Sequence, residues 1–185
     1  MTARRVTQCD EYLAELRVEF PRLRVLSKEG DAFSRAVDLA LRALTFGGQN
    51  GYLDRYVTTI GDRIYVPRNW ERRADSERYV VLRHEAVHLR QFRRRGLVRT
   101  AVLYLFWPVP VVFATGRAGL EREAYEESLR ATREVSGDAA LRDPELRSYI
   151  VRQFTGPAYA WMWPFPTAVG RWYDAAVKRI CAESA

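Results

Sequence analysis

Cysteine is scarce in this chain of 185 residues: there are two, Cys9 and Cys181, near opposite ends. Neither the dense pairing of a secreted disulfide scaffold nor the CxxC spacing of a zinc ribbon is present, so a reducing compartment is expected. No unbroken apolar run reaches the roughly 20 residues that a membrane-spanning helix needs. The longest, residues 101–115 (AVLYLFWPVPVVFAT), is interrupted by two prolines and reads as buried or interfacial. The opening stretch, MTARRVTQCDEYLAELRVEF, lacks the apolar centre and small-residue cleavage site of a signal peptide. No export signal is expected there, and the cytoplasm is the expected location. Internal repeats, low-complexity tracts and linkers are also missing, which points to a single domain over residues 1–185.

The chain does hold enough apolar material for a core, at 48% of its residues. Its net charge of +7 could attract an anionic partner, but the arginines are spread along nearly the whole chain and single out no surface. The tightest cluster, Arg90, Arg93, Arg94, Arg95 and Arg99, is explained more economically as a helix end than as a phosphate site. No specific nucleic acid is expected.

Periodicity divides the chain into short elements. Residues 8–20 carry Tyr12, Leu13, Leu16 and Phe20 at helical spacing, ended by Pro21. Residues 22–26 read as a short strand. Asp31 can cap a second helix with Phe33, Val37, Leu41 and Leu44 on one face, stopped by Gly47-Gly48. Residues 56–60 and 63–66 are β-rich runs around Gly61-Asp62, a hairpin signal. The second of these runs could line a cleft and pair with an extended peptide.

Asp75 or Ser76 offers a cap for a long helix with apolar positions Val80, Val81, Val87 and Phe92, ending at Gly96. Another helix is expected over about 119–135, and Asp143-Pro144 opens a further one. An aromatic stretch, residues 159–166, reads mainly as core filling. It leads to a last helix with Trp172, Ala176, Val177 and Ile180 along one side. The expected fold is α+β and predominantly helical, with a small sheet or hairpin preceding the long helix.

The chain has only two histidines, and both fall in one motif inside that helix: His84-Glu85-Ala86-Val87-His88, or HExxH. Residues four apart share a helix face, so both imidazoles can reach one zinc ion at about 2.0–2.1 Å while Glu85 projects from the same turn. Two histidines and a carboxylate favour zinc over the hard cations that prefer all-oxygen shells. Catalytic zinc takes three protein ligands, and no third histidine or suitable cysteine exists. The remaining ligand should be a carboxylate from the downstream helix, which holds Glu121, Glu123, Glu126 and Glu127.

His84-Glu85-Ala86-Val87-His88 followed by Glu121-Arg122-Glu123-Ala124 resembles the gluzincin metallopeptidases, in which a downstream glutamate completes an HExxH site. Minimal single-domain gluzincins, and the peptidase-like domains paired with phage-type repressors, are of similar scale. The resemblance covers residues 52–135, with the N-terminal helices and the aromatic C-terminal region packed around it. It implies Glu121 as third ligand, Ala124 at the small position that follows, and Glu123 as second choice. Tyr125 stands where such families often carry an Asp or Asn that orients a ligand histidine, which leaves the orienting group unidentified.

The expected activity is zinc-dependent peptide-bond hydrolysis, with Glu85 activating a zinc-bound water and Tyr125, Tyr159 or Arg117 stabilising the oxyanion. Of these, Tyr159 is the expected second catalytic residue. The expected partner is a peptide or protein substrate; peripheral membrane contact and oligomeric state stay open. Two other classes stand beside this one. One is a catalytically weak or inactive zinc-binding regulatory or interaction protein; the other is a basic module binding nucleic acid or anionic membrane.

Overall fold

The computed structural model describes residues 7–44, 52–54, 56–100, 114–156 and 161–183. The expected Gly47-Gly48 stop, the prolines of the 101–115 run and Tyr159 lie outside the described residues. Helix α1 (Gln8–Glu19) starts where the Thr7 hydroxyl accepts from the Asp10 N–H, and Asp10 and Glu11 sit at its positive end. Strand β1 (Arg24–Ser27) follows, then helix α2 (Ala32–Leu44), whose first turn is capped by Asp31 accepting from the Ser34 N–H at 2.7 Å.

Of the four apolar positions expected on α2, Val37 alone has a described side chain, and it is half-buried, whereas Ser34 and Asp38 are buried. Of these, Asp38 acts electrostatically on Lys28, the buried lysine that follows β1.

Strands β2 (Thr58–Ile60) and β3 (Arg63–Val66) form the expected hairpin around Gly61, whose φ of 58° is in the region glycine tolerates. The sheet order is β1-β3-β2, with β1 parallel to β3 and β2 antiparallel to it. β3 is therefore the central strand, with both edges taken, and cannot add an extended peptide. The outer strand on the hairpin side is β2.

Helix α3 (Asp75–Arg95) carries HExxH. Its cap position is Ala74 rather than Asp75 or Ser76; the Asp75 carboxylate instead accepts from the Gln8 N–H at 3.1 Å, tying α3 to α1. Arg93 to Arg95 fill the last turn, and Gly96 ends the helix at φ 79°. The buried apolar stripe is Tyr79, Leu82, Ala86 and Leu89, while Val80, Val81, Val87 and Phe92 are half-buried.

Helix α4 (Ala114–Leu141) is longer than expected and is broken at Gly137, where φ is 77° and ψ 176°. Helix α5 (Pro144–Thr155) begins as anticipated, with Asp143 accepting from the Glu145 N–H at 2.8 Å and Pro144 in the first turn. Helix α6 (Pro166–Ala182) buries Val169, Trp172, Tyr173, Ala176 and Ile180. The aromatic stretch before it is mixed: Met162 is buried, whereas Trp161 and Phe165 are exposed.

The fold is thus predominantly helical α+β. One apolar cluster joins α1, the sheet and α3; a second joins α4, α5 and α6. α4 contributes Ala131 to the first, and Tyr125 and Leu129 to the second. The α3–α4 seam lies between them, so residues facing it are held from both sides. Among the described residues, no helix is long and apolar enough to cross a membrane.

Candidate metal centre

The α3–α4 seam is clamped by charge as well as by packing. Arg83 donates to Glu127 at 2.6 Å and to Glu134 at 2.7 Å, and the Tyr79 hydroxyl donates to Glu134 at 2.7 Å. Nearly every other glutamate of α4 has a distinct role. Glu126 accepts from Trp172 and Arg179, anchoring α6. Glu123 accepts from Gln91 and Arg94 and faces Arg95. Glu121 is the one glutamate of α4 that is fully buried in the seam, at 2% exposed. The basic end of α3 is likewise engaged: Arg90 and Arg93 both donate to Glu19 of α1.

Glu121 meets His84 and His88 there. The two Nε2 atoms lie 3.2 Å apart, with Glu121 Oε2 3.6 Å from His84 Nε2 and Oε1 3.8 Å from His88 Nε2. Four tetrahedral bonds of about 2.0–2.1 Å would set ligand atoms about 3.3 Å apart, close to the 3.2–3.8 Å spacing of the two nitrogens and the Glu121 carboxylate, so the three residues could hold a small divalent ion. All three residues are buried, and their ligand atoms fall within 4.8 Å of one another.

The hydrogen bonds on the far side of each imidazole decide its tautomer. Ser128 Oγ donates its one proton to the Ala124 carbonyl at 3.1 Å, so at 3.0 Å from His84 Nδ1 it must accept. Gln91 donates through Nε2 to the Leu120 carbonyl and to Glu123, both at 3.0 Å, which leaves its Oε1 to accept from His88 Nδ1 at 2.9 Å. Both imidazoles therefore carry the proton on Nδ1, and both Nε2 lone pairs point at the same space. At these distances two lone pairs and a carboxylate call for positive charge between them, which either a proton or a metal ion supplies. Ser128 and Gln91 are the orienting groups missing from the motif.

Electrostatics agrees. Burial alone would lower the His84 pKa, but the Glu121 and Glu85 carboxylates outweigh it and raise the imidazole above its usual value. Burial would raise Glu121, yet the His88 and His84 imidazoles, with Arg117, hold it down at about 2. The pocket favours positive charge between the rings.

Glu85 is 6% exposed, and its Oε2 accepts from the Thr59 hydroxyl of β2 at 2.6 Å. Beside it a cavity of about 160 Å³ reaches His84 and Glu85, with Val57, Val80, Val81, Leu129 and Ile150 in its walls and Tyr56, Tyr149 and Arg73 among its polar groups. Tyr125 also lines it, edge-on to the His84 ring at 4.9 Å between centroids and against Phe154 at 5.4 Å. Arg117 acts electrostatically on Glu121.

The structure thus brings together His84, His88, Glu121 and Glu85, and turns Glu123 away to Gln91 and Arg94. Sequence reasoning missed Gln91, Ser128 and Thr59. A signal existed for two: Gln91 is three residues past His88, and Glu121, Ala124 and Ser128 share one helical stripe. No family model, curated protein or solved structure matches this chain.

Proposed function

We infer that the protein is a zinc-dependent metallopeptidase of gluzincin-like design, with His84, His88 and Glu121 as metal ligands and Glu85 as general base. The observation that carries this reading is the convergence of two tautomer-fixed Nε2 lone pairs and a buried carboxylate beside a second glutamate that lines a cavity. A structural zinc site closes its shell with four protein groups, whereas among the described residues three candidate ligands come together here, one of them, His84, bordering the cavity.

Zinc, when bound, supplies Lewis acidity toward the scissile carbonyl and the attacking water. The chain's own residues do the rest. Glu85, steadied by Thr59, takes a proton from the water and later delivers it to the leaving amine. A substrate side chain enters the apolar cavity, and the extended peptide lies along the outer strand β2. His84 and His88 keep Nδ1 protonated throughout, held by Ser128 and Gln91.

Metal analysis after chelator-free purification tests the site: stoichiometric zinc is expected in the unmodified protein and a large loss in His84→Ala. Glu85→Gln then tests the chemistry. It should retain zinc and abolish cleavage of a mixed peptide library; equal turnover by the variant would remove the base from the reading and leave a zinc-binding protein of another kind.

A further inference from the structure

Lys28 and Lys178 are the only lysines among thirty basic residues, and Lys28 is 2% exposed. Its Nζ donates to the Tyr52 carbonyl at 2.8 Å, the Tyr56 carbonyl at 2.9 Å and the Thr58 hydroxyl at 3.0 Å, and it sits 3.5 Å from the centre of the Tyr52 ring. An ammonium has three protons, and three acceptors take them all. That saturation separates Lys28 from a nucleophilic lysine, which needs a free lone pair. Burial pulls its pKa to about 8 against the attraction of Glu85 and Asp38, and it remains mostly protonated near neutral pH.

The location of this cation matters more than its strength. Lys28 follows β1 directly, and its N–H donates to the Val66 carbonyl at the end of β3. Since β1 is parallel and β2 antiparallel to β3, the end of β1 and the start of β2 lie at the same end of the sheet. The lysine side chain crosses that end and ties the two outer strands together. Its last acceptor, Thr58, is adjacent to Thr59, and successive strand residues point to opposite faces. Lys28 thus holds β2 from one face while Thr59 holds Glu85 from the other.

We propose that Thr59 is the positioning residue of the Glu85 base and that Lys28 sets the strand from which Thr59 acts. The inference rests on the metallopeptidase reading and adds to it the device that aims the base. With Oε2 engaged by Thr59, Oε1 of Glu85 is the less encumbered oxygen to receive the proton, so rotation of the carboxylate is restrained toward one presentation. No residue of the HExxH motif supplies that constraint; it comes from the edge strand.

The test measures steady-state kinetics and zinc content of the full chain with the best peptide from a library screen. Thr59→Val should lower kcat about tenfold to a hundredfold, as expected for loss of a hydrogen bond to a charged group, with KM and zinc content unchanged. Thr59→Ser restores the hydroxyl and should recover kcat, which a packing role for the methyl would not do. Lys28→Met should lower kcat in the same direction; if it does not fold, Thr58→Val removes one acceptor and is read in its place. Wild-type kcat in Thr59→Val alongside an inactive Glu85→Gln overturns the positioning role and leaves the peptidase reading intact. Equal activity of wild type and Glu85→Gln overturns the peptidase reading, and the positioning role with it.

Discussion

Replacing Gln91 with methionine keeps side-chain length and apolar volume while removing the amide, and so isolates the bond that fixes the His88 tautomer. Gln91 is fully buried and makes three hydrogen bonds. Two of them lose little on substitution. The Leu120 carbonyl lies within α4, where the helix also provides a donor, and Glu123 is 44% exposed and keeps Arg94 and Arg95. The third is decisive: His88 Nδ1–H would be left in a 7%-exposed setting without its acceptor.

An orphaned buried donor costs about 1–3 kcal/mol, which for a chain of this size corresponds to a Tm lowered by roughly 2–12 °C. Loss of an orienting group beyond a metal ligand weakens metal binding by about 10–100-fold. Zinc affinity by chelator competition and thermal unfolding with and without zinc read the two effects separately. Gln91→Glu is the companion variant. It can still accept from His88 but has no proton for Leu120 or Glu123, so it should keep zinc affinity closer to wild type while losing stability. A Tm drop in Gln91→Met with unchanged zinc affinity would refute the tautomer argument, because the ring would then aim itself without the amide.

Glu121→Gln should lose stoichiometric zinc by metal analysis, whereas Glu123→Gln should retain it, because the second carboxylate faces Gln91 and Arg94. Zinc binding should release protons near pH 6.5: His84 is raised above its usual value in the metal-free protein and must be neutral to ligate. Apparent affinity therefore falls as pH drops through that raised pKa, and calorimetry in buffers of different ionisation enthalpy should give a non-zero proton count. Gly137→Ala should lower Tm by about 2–12 °C with zinc affinity unchanged. Its φ of 77° and ψ of 176° are nearly confined to glycine, no atom lies within 4 Å of the added methyl, and strain there costs about 1–3 kcal/mol.

What could be read from the sequence tracks how local the determining contacts are. His84 and His88 lie one turn apart on one helix, so their shared face follows from helical geometry alone. Asp31 and Asp143 act as caps within three residues of themselves. Other readings failed where a distant element intervenes. Alternation in residues 63–66 looks the same for an edge or a central strand, and only the parallel pairing of β1, reached through the α2 crossover, makes β3 central. Asp75 is a good cap by type, but the α1 backbone claims its carboxylate.

The α3 stripe shows the same limit in a different form. A helix packed on one side repeats its apolar residues every three or four positions. α3 is enclosed by α1, the sheet and α4, and it gives much of its α4 face to polar groups: His84, His88 and Gln91 are buried beside Tyr79, Leu82, Ala86 and Leu89. Valines at 80, 81 and 87 then fall at the boundaries between faces, half-buried and at the wrong phase for a single stripe. A motif-bearing helix that buries its own chemistry therefore obscures its apolar period, and the loss of that signal around HExxH is itself consistent with an interior site. By the same reasoning the partner of Glu85 could not be found along α3. Thr59 reaches it from a strand whose position depends on a lysine beyond the opposite edge of the sheet, a relation set by topology and carried by no local pattern.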